Sequence, residues 1–116
     1  MKKAIFKLNF DCGRMGSLEG VFISTREKVD TLIENSIQVY FGEVLGKHSE
    51  VYGPIDEGEI TFISDDENVV NVIEKYGLTS GHNPFHYTSI NFELDGERVD
   101  DVPINEIVEK ILESKK

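Results

Sequence analysis

The sequence has a single cysteine, Cys12, so no disulfide forms within the chain, and a reducing cytosol is the compartment that fits best. No run approaches the roughly 20 apolar residues that a membrane span needs, and no membrane partner is expected. Met1-Lys2-Lys3-Ala4-Ile5-Phe6 begins like a secretory leader, but Lys7, Asn9 and Asp11 interrupt the apolar stretch a leader requires. A first strand is expected there instead. There is no CxxC and no HExxH. His48, His82 and His86 with a glutamate have the chemistry for zinc, but Gly81 and Pro84 argue against a helix that would align two of them. Neither a metal nor another cofactor is expected.

Bases are scarce in the second part of the chain. Residues 1–47 hold seven Lys/Arg and six Asp/Glu, a net of +1, whereas residues 48–116 hold five and sixteen, a net of −11. From His48 to Glu74 there is no Lys or Arg against eight acids. Nucleic acid is held by neutralising its phosphates, so direct nucleic-acid binding is not expected. An acidic surface of this kind either keeps the protein solvated or faces a basic partner.

What is present is patterned for a single α+β domain over residues 1–116. A chain of this length buries roughly two thirds of its unfolded surface, and an apolar content of 39% argues against disorder. Ala4, Phe6, Leu8 and Phe10 alternate with Ile5, Lys7, Asn9 and Asp11, the period of a strand with one buried face. Gly13 and Gly16 turn the chain into a return strand over 18–23. Ser24 and Glu27 fit a capping box for a helix reaching about Asn35, with Val29, Leu32 and Ile33 inward. Ile37, Val39 and Phe41 restore period two over 36–45. Gly42 predicts a bulge or a close approach, and Gly46-Lys47 suit a type II′ turn into a strand over 48–55. Asp56-Glu57-Gly58 is a turn before a strand over 59–63. Ser64 and Glu67 form a second capping box for a helix carrying Val69, Val70, Val72, Ile73 and Tyr76 and closing at Gly77. Leu78 to His86 is an irregular loop. Thr88, Ile90, Phe92 and Leu94 alternate as a strand, Asp95-Gly96 is a hairpin turn, and 97–102 pairs back. Pro103 opens a last helix with the stripe Ile104, Ile107, Val108, Ile111 and Leu112. Hairpins dominate this β-β-α-β-β-β-α-β-β-α order. It predicts a mainly antiparallel sheet of about six to seven strands with three helices packed on it.

Two stretches carry the candidate site, residues 40–52 and 80–87. Gly42-Glu43-Val44-Leu45-Gly46-Lys47 is not a phosphate loop, because three residues instead of four separate its glycines and His48 replaces the magnesium-binding hydroxyl. Lys47, His48 and Ser49 at a hairpin tip still suit a small polar or phosphorylated ligand. Glu43 and Glu50 suit amines or ribose hydroxyls, and Asn83 suits polar groups. Tyr40, Tyr52, Phe85 and Tyr87 suit stacking on a base. The plainer reading is a polar hairpin with a histidine packed on a tyrosine. A small hydrolase is a further alternative, using His48, His82 or a Cys12 thiol lowered by Arg14.

The strings YFGEVLGKHSEV (40–51) and SGHNPFHY (80–87) resemble small uncharacterised proteins of phages and mobile elements in low-GC bacteria, which carry YFGE-x-x-GKHSE and SG-x-NP-x-x-Y segments. The likeness covers about residues 37–87. It implies a phage-type anti-defence context in the host cytoplasm. Two mechanisms follow from it. One is a non-catalytic binding protein, possible as a homo-oligomer, that sequesters a small nucleotide-like ligand as Thoeris and CBASS sponges do. The other is an acidic inhibitor in the manner of several anti-CRISPR proteins, presenting Asp56, Glu57, Glu59, Asp65, Asp66 and Glu67 to a basic host protein.

Overall fold

The alternation at the N-terminus becomes β1 (Lys3–Asp11), which pairs antiparallel over its whole length with β2 (Ser17–Thr25). Phe6 therefore lies opposite Phe22, and Phe10 opposite Leu18. The structure is a computed structural model and describes residues 2–13, 16–44 and 50–114. Helix α1 (Arg26–Glu34) is capped by Thr25, whose side chain accepts from the Lys28 amide, and not by Ser24. The reason is register: Lys3 pairs with Thr25, so the strand runs one residue past Ser24.

The next hairpin joins β3 (Gln38–Gly42) to β4 (Val51–Pro54). Phe41 and Gly42 together face Val51, which makes the expected bulge, with Gly42 at φ +81°. The turn expected at Gly46-Lys47 lies outside the described residues. β5 (Ile60–Ser64) returns along β1 and leads into α2 (Glu67–Lys75). Asp66 caps α2 by accepting from the Asn68 amide at 2.9 Å, while Ser64, still held in β5, accepts from the Asp66 amide at 3.1 Å. The helix ends in a Schellman motif, with the Leu78 amide donating to the Ile73 carbonyl and the Gly77 amide to that of Glu74.

The loop that follows contains β6 (Ser80–Gly81) and a single 3₁₀ turn over Pro84–His86. The strand expected over 88–94 is broken. Asn91 takes φ +51°, its amide donates to Asp100 Oδ1 at 2.7 Å, and Arg98 donates to its side-chain oxygen at 2.6 Å. The pieces are β7 (Thr88–Ser89), which joins β3, and β8 (Phe92–Leu94), which forms a hairpin with β9 (Glu97–Val99). Asp95 and Gly96 both have positive φ, as a type I′ turn requires. Helix α3 (Ile104–Ser114) closes the described chain.

The fold is thus α+β, with three helices packed on antiparallel sheets. Among the described residues, nine strands form three sheets, ordered β5-β1-β2-β6, β4-β3-β7 and β8-β9, where one sheet of six to seven strands was expected. Phe6, Leu8, Phe10, Leu18 and Phe22 pack against Val39, Phe41 and Val51 from the second sheet, and against Leu32, Ile104, Ile107 and Val108 from α1 and α3. Lys28 ties those two helices together through Asn105 (3.1 Å) and Glu109 (3.4 Å). Helix α2 lies apart from them. Lys3 and Ile5 point away from the Phe6 face, and Lys3 there meets Glu74 at 3.0 Å. That outer face mixes Lys3, Lys7, Asn9, Glu19 and Thr25 with Ile5, Val21 and Ile23, so the apolar floor available to α2 is narrow.

Candidate functional site

The two singled-out stretches meet at their roots. Tyr40 pairs with Thr88, which places Phe41 with its ring centroid 4.7 Å from that of Tyr87 and 6.4 Å from that of His82. The loop is held against β2 by the His82 amide, which donates to the Glu19 carbonyl at 3.0 Å. That approach needs glycine on both sides: a Cβ at Gly20 or at Gly81 would overlap the backbone of the other segment. His82 Nδ1 and Tyr87 Oη then share a hydrogen bond of 2.6 Å. Asn83 Oδ1 accepts from the Phe85 amide at 3.0 Å and so caps the 3₁₀ turn.

The stacking shelf expected from Tyr40, Phe85 and Tyr87 is not formed by this arrangement. Phe85 is buried in the core, its ring 6.0 Å from Phe22, because the turn at Pro84 aims it inward. Tyr87 is half-buried between Phe41 and His82, and burial pushes its phenol above the ordinary value. Tyr40 points to the opposite face of β3 from Phe41 and donates to Glu50 Oε1 at 3.0 Å. That hydrogen bond is the first cause of the upward shift of its phenol. Tyr52 is exposed beside it, as is Glu43. Lys47, His48 and Ser49 lie outside the described residues. Asn83 faces elsewhere: with His86 it lines a cleft of about 520 Å³ whose other wall is Ile73, Glu74 and Gly77.

Arg14, expected to lower the Cys12 thiol, lies outside the described residues, and the described surroundings act in the opposite sense. Burial pushes Cys12 up, and the carboxylates of Asp11 and Glu59 push it further. Its Sγ–H is directed to the Phe10 carbonyl at 3.6 Å. A thiol so placed is less nucleophilic at neutral pH than a free one. Among the described residues, no three of His, Cys, Asp and Glu converge as metal ligands. Likewise, no described helix is long and apolar enough to cross a membrane.

The acids divide into two kinds. Glu59 is structural: its carboxylate accepts from the Asp56 amide at 2.9 Å and from the Asp11 amide at 3.1 Å. Asp66 is the α2 cap, and Asp65 stands 3.9 Å from Lys2. Asp56, Glu57 and Glu67 have exposed side chains. Next to this acidic surface lies an apolar one that the sequence pattern alone did not single out. Of the four apolar residues on α2, Val69, Val70, Val72 and Ile73, only Val70 is buried. Val69 is 42% exposed, Val72 48% and Tyr76 64%, and Ile63 and Leu78 beyond the helix ends are about half exposed. The signal was present as an apolar arc on α2 too wide for one buried stripe.

Comparison of the chain with protein-family models, with curated proteins and with solved structures finds no match.

Proposed function

We propose that this chain is a non-catalytic binding protein that docks a basic protein on the outer surface of α2. The observation that carries the reading is the exposure of Val69, Val72 and Tyr76 at helical spacing, with Ile63 and Leu78 exposed beyond the helix ends, Asp66 at the N-terminal cap and Lys75 over the Tyr76 ring. A contiguous apolar surface with a charged rim is the usual anatomy of a contact surface. The net charge selects the partner. Two copies meeting here would bring like charges together, and each carries a net charge of −10. A basic partner is attracted instead. The resemblance of residues 37–87 to phage and mobile-element proteins supports a host protein in that role. Sequestration of a nucleotide-like ligand has less support, since Phe85 and Tyr87 turn their rings into the protein.

The test is capture on immobilised protein from host lysate, followed by titration of the purified captured protein. Val69→Ser and Val72→Ser are each expected to weaken binding about tenfold. Raising the salt concentration is expected to weaken it further. Undiminished binding by the doubly substituted protein excludes the α2 surface. A nucleotide recovered by mass spectrometry from the denatured protein returns the ligand reading instead.

A further inference from the structure

Strand β2 is bonded to β1 along all nine of its residues, but on its other side β6 pairs only with Gly20 and Val21. The chain reaches Ser80 from the C-terminal cap of α2 and not along β2. Among the described residues, no strand pairs with Phe22, Ile23 or Ser24 on that side. In an antiparallel ladder, the groups aimed at one neighbour recur at every second residue. Glu19 accepts from the His82 amide, and Val21 lies opposite Ser80. Ile23 therefore aims its amide and carbonyl at the uncovered edge.

That edge runs along two adjoining clefts of about 520 and 290 Å³, both lined by Ile23, Asn83 and His86. Ile73 and Glu74 wall the first, while Lys28 and Asn105 stand at the far end of the second. We propose that this edge binds an extended peptide segment of a partner protein, added antiparallel to β2 in line with β6. The uncovered length is about 10 Å, three residues at strand rise. The peptide residue opposite Ile23 exchanges two backbone hydrogen bonds with it and lays an apolar side chain on Val21, Ile23 and Ile73, all half-buried. Its neighbours face Ser24, Asn83 and Asn105, which suits hydroxyl or amide side chains. The two lysines that line the second cleft, Lys3 and Lys28, are ion-paired with Glu74 and Glu109, so the net charge of −10 still favours basic residues at the peptide ends. A second copy of this chain fits poorly, because its own β2 edge is recessed beside α2 and carries the same charge. This inference rests on β2 and does not depend on the exposed face of α2.

The experiment is NMR titration of the full chain with the pentapeptides Ac-Lys-Thr-X-Thr-Lys-NH2, where X is Val, Ile or Phe. Each is compared with an analogue N-methylated at X, which cannot donate to the Ile23 carbonyl. The expected result is slowed hydrogen exchange and a shifted resonance at the Ile23 amide, with Val69 and Val72 unmoved. The N-methylated analogue is expected to bind about tenfold more weakly. Equal affinity of peptide and analogue overturns the proposal. So does an Ile23 amide unaffected by all three peptides up to about 10 mM, the weak end of measurable binding. Protection of Ile23 that rises with protein concentration alone assigns the edge to a second copy and overturns it as well.

Discussion

Glu59 is one of eight acids in a stretch without a single Lys or Arg, yet its carboxylate is the acceptor for two backbone amides, those of Asp56 and Asp11. Glu59→Ala leaves both without that acceptor and should cost about 1–2 kcal/mol in urea unfolding, whereas Glu57→Ala, exposed next door, should stay within about 0.5 kcal/mol. Cys12 and Tyr87 give a pH dependence. Both have their folded pKa raised, so the folded state holds these protons more tightly than the unfolded one. Their contribution is complete below the unfolded values, near 9 for the thiol and 10 for the phenol, and is lost as pH rises through the folded ones. The midpoint of thermal unfolding should therefore fall on the alkaline side, and less steeply in Cys12→Ser and Tyr87→Phe. Iodoacetamide should modify native Cys12 more slowly at neutral pH than a free thiol, and faster in Glu59→Gln, where one repelling charge is gone.

At the scale of elements, neighbours decide between local signals of equal merit. Ser24 and Thr25 both suit an N-cap, and the register of β1 with β2 gives the position to Thr25. Thr25→Ala should lower stability by about 1 kcal/mol and Ser24→Ala by much less, as circular dichroism during denaturation would show. The segment carrying His82, Asn83 and Phe85 is placed by contact between two backbones, at Gly20 and Gly81. Gly81→Ala forces that contact apart. It should cost several kcal/mol, in the range of severe single substitutions, and break the His82–Tyr87 hydrogen bond, visible in the His82 ring resonances. Asn91 acts in the opposite sense, ending one strand pairing and starting another, so that a single alternating run serves two sheets.

Over the whole molecule, one face of the first sheet is fully used and the other is not. Phe6, Leu8, Phe10, Leu18 and Phe22 are covered by the second sheet, α1 and α3, while α2 alone sits on the outer face. Its side chains away from the sheet contribute surface and little folding energy. Val69→Ser and Val72→Ser should therefore each shift unfolding by no more than about 0.5 kcal/mol. Binding of a hydrophobic dye to the native protein should fall in the same variants. A marked loss of stability would mean that this face is covered within the chain.

The cap residues, the break at Asn91 and β6 depended on what lies opposite. The three helices, the long strands and the Asp95-Gly96 hairpin turn were determined by the sequence alone, because period two, period 3.6 and that turn are local signals. The bulge at Gly42 and the inward faces of β1, β3 and α3 belong to that class. Which apolar residues would be covered was decided only in three dimensions. Phe85 and Val72 are equally apolar in the sequence. The former meets Phe22 across the core, and the latter stays half exposed, because it lies on the side of α2 turned away from the sheet. Burial is a property of what stands opposite, and a one-dimensional pattern does not contain it.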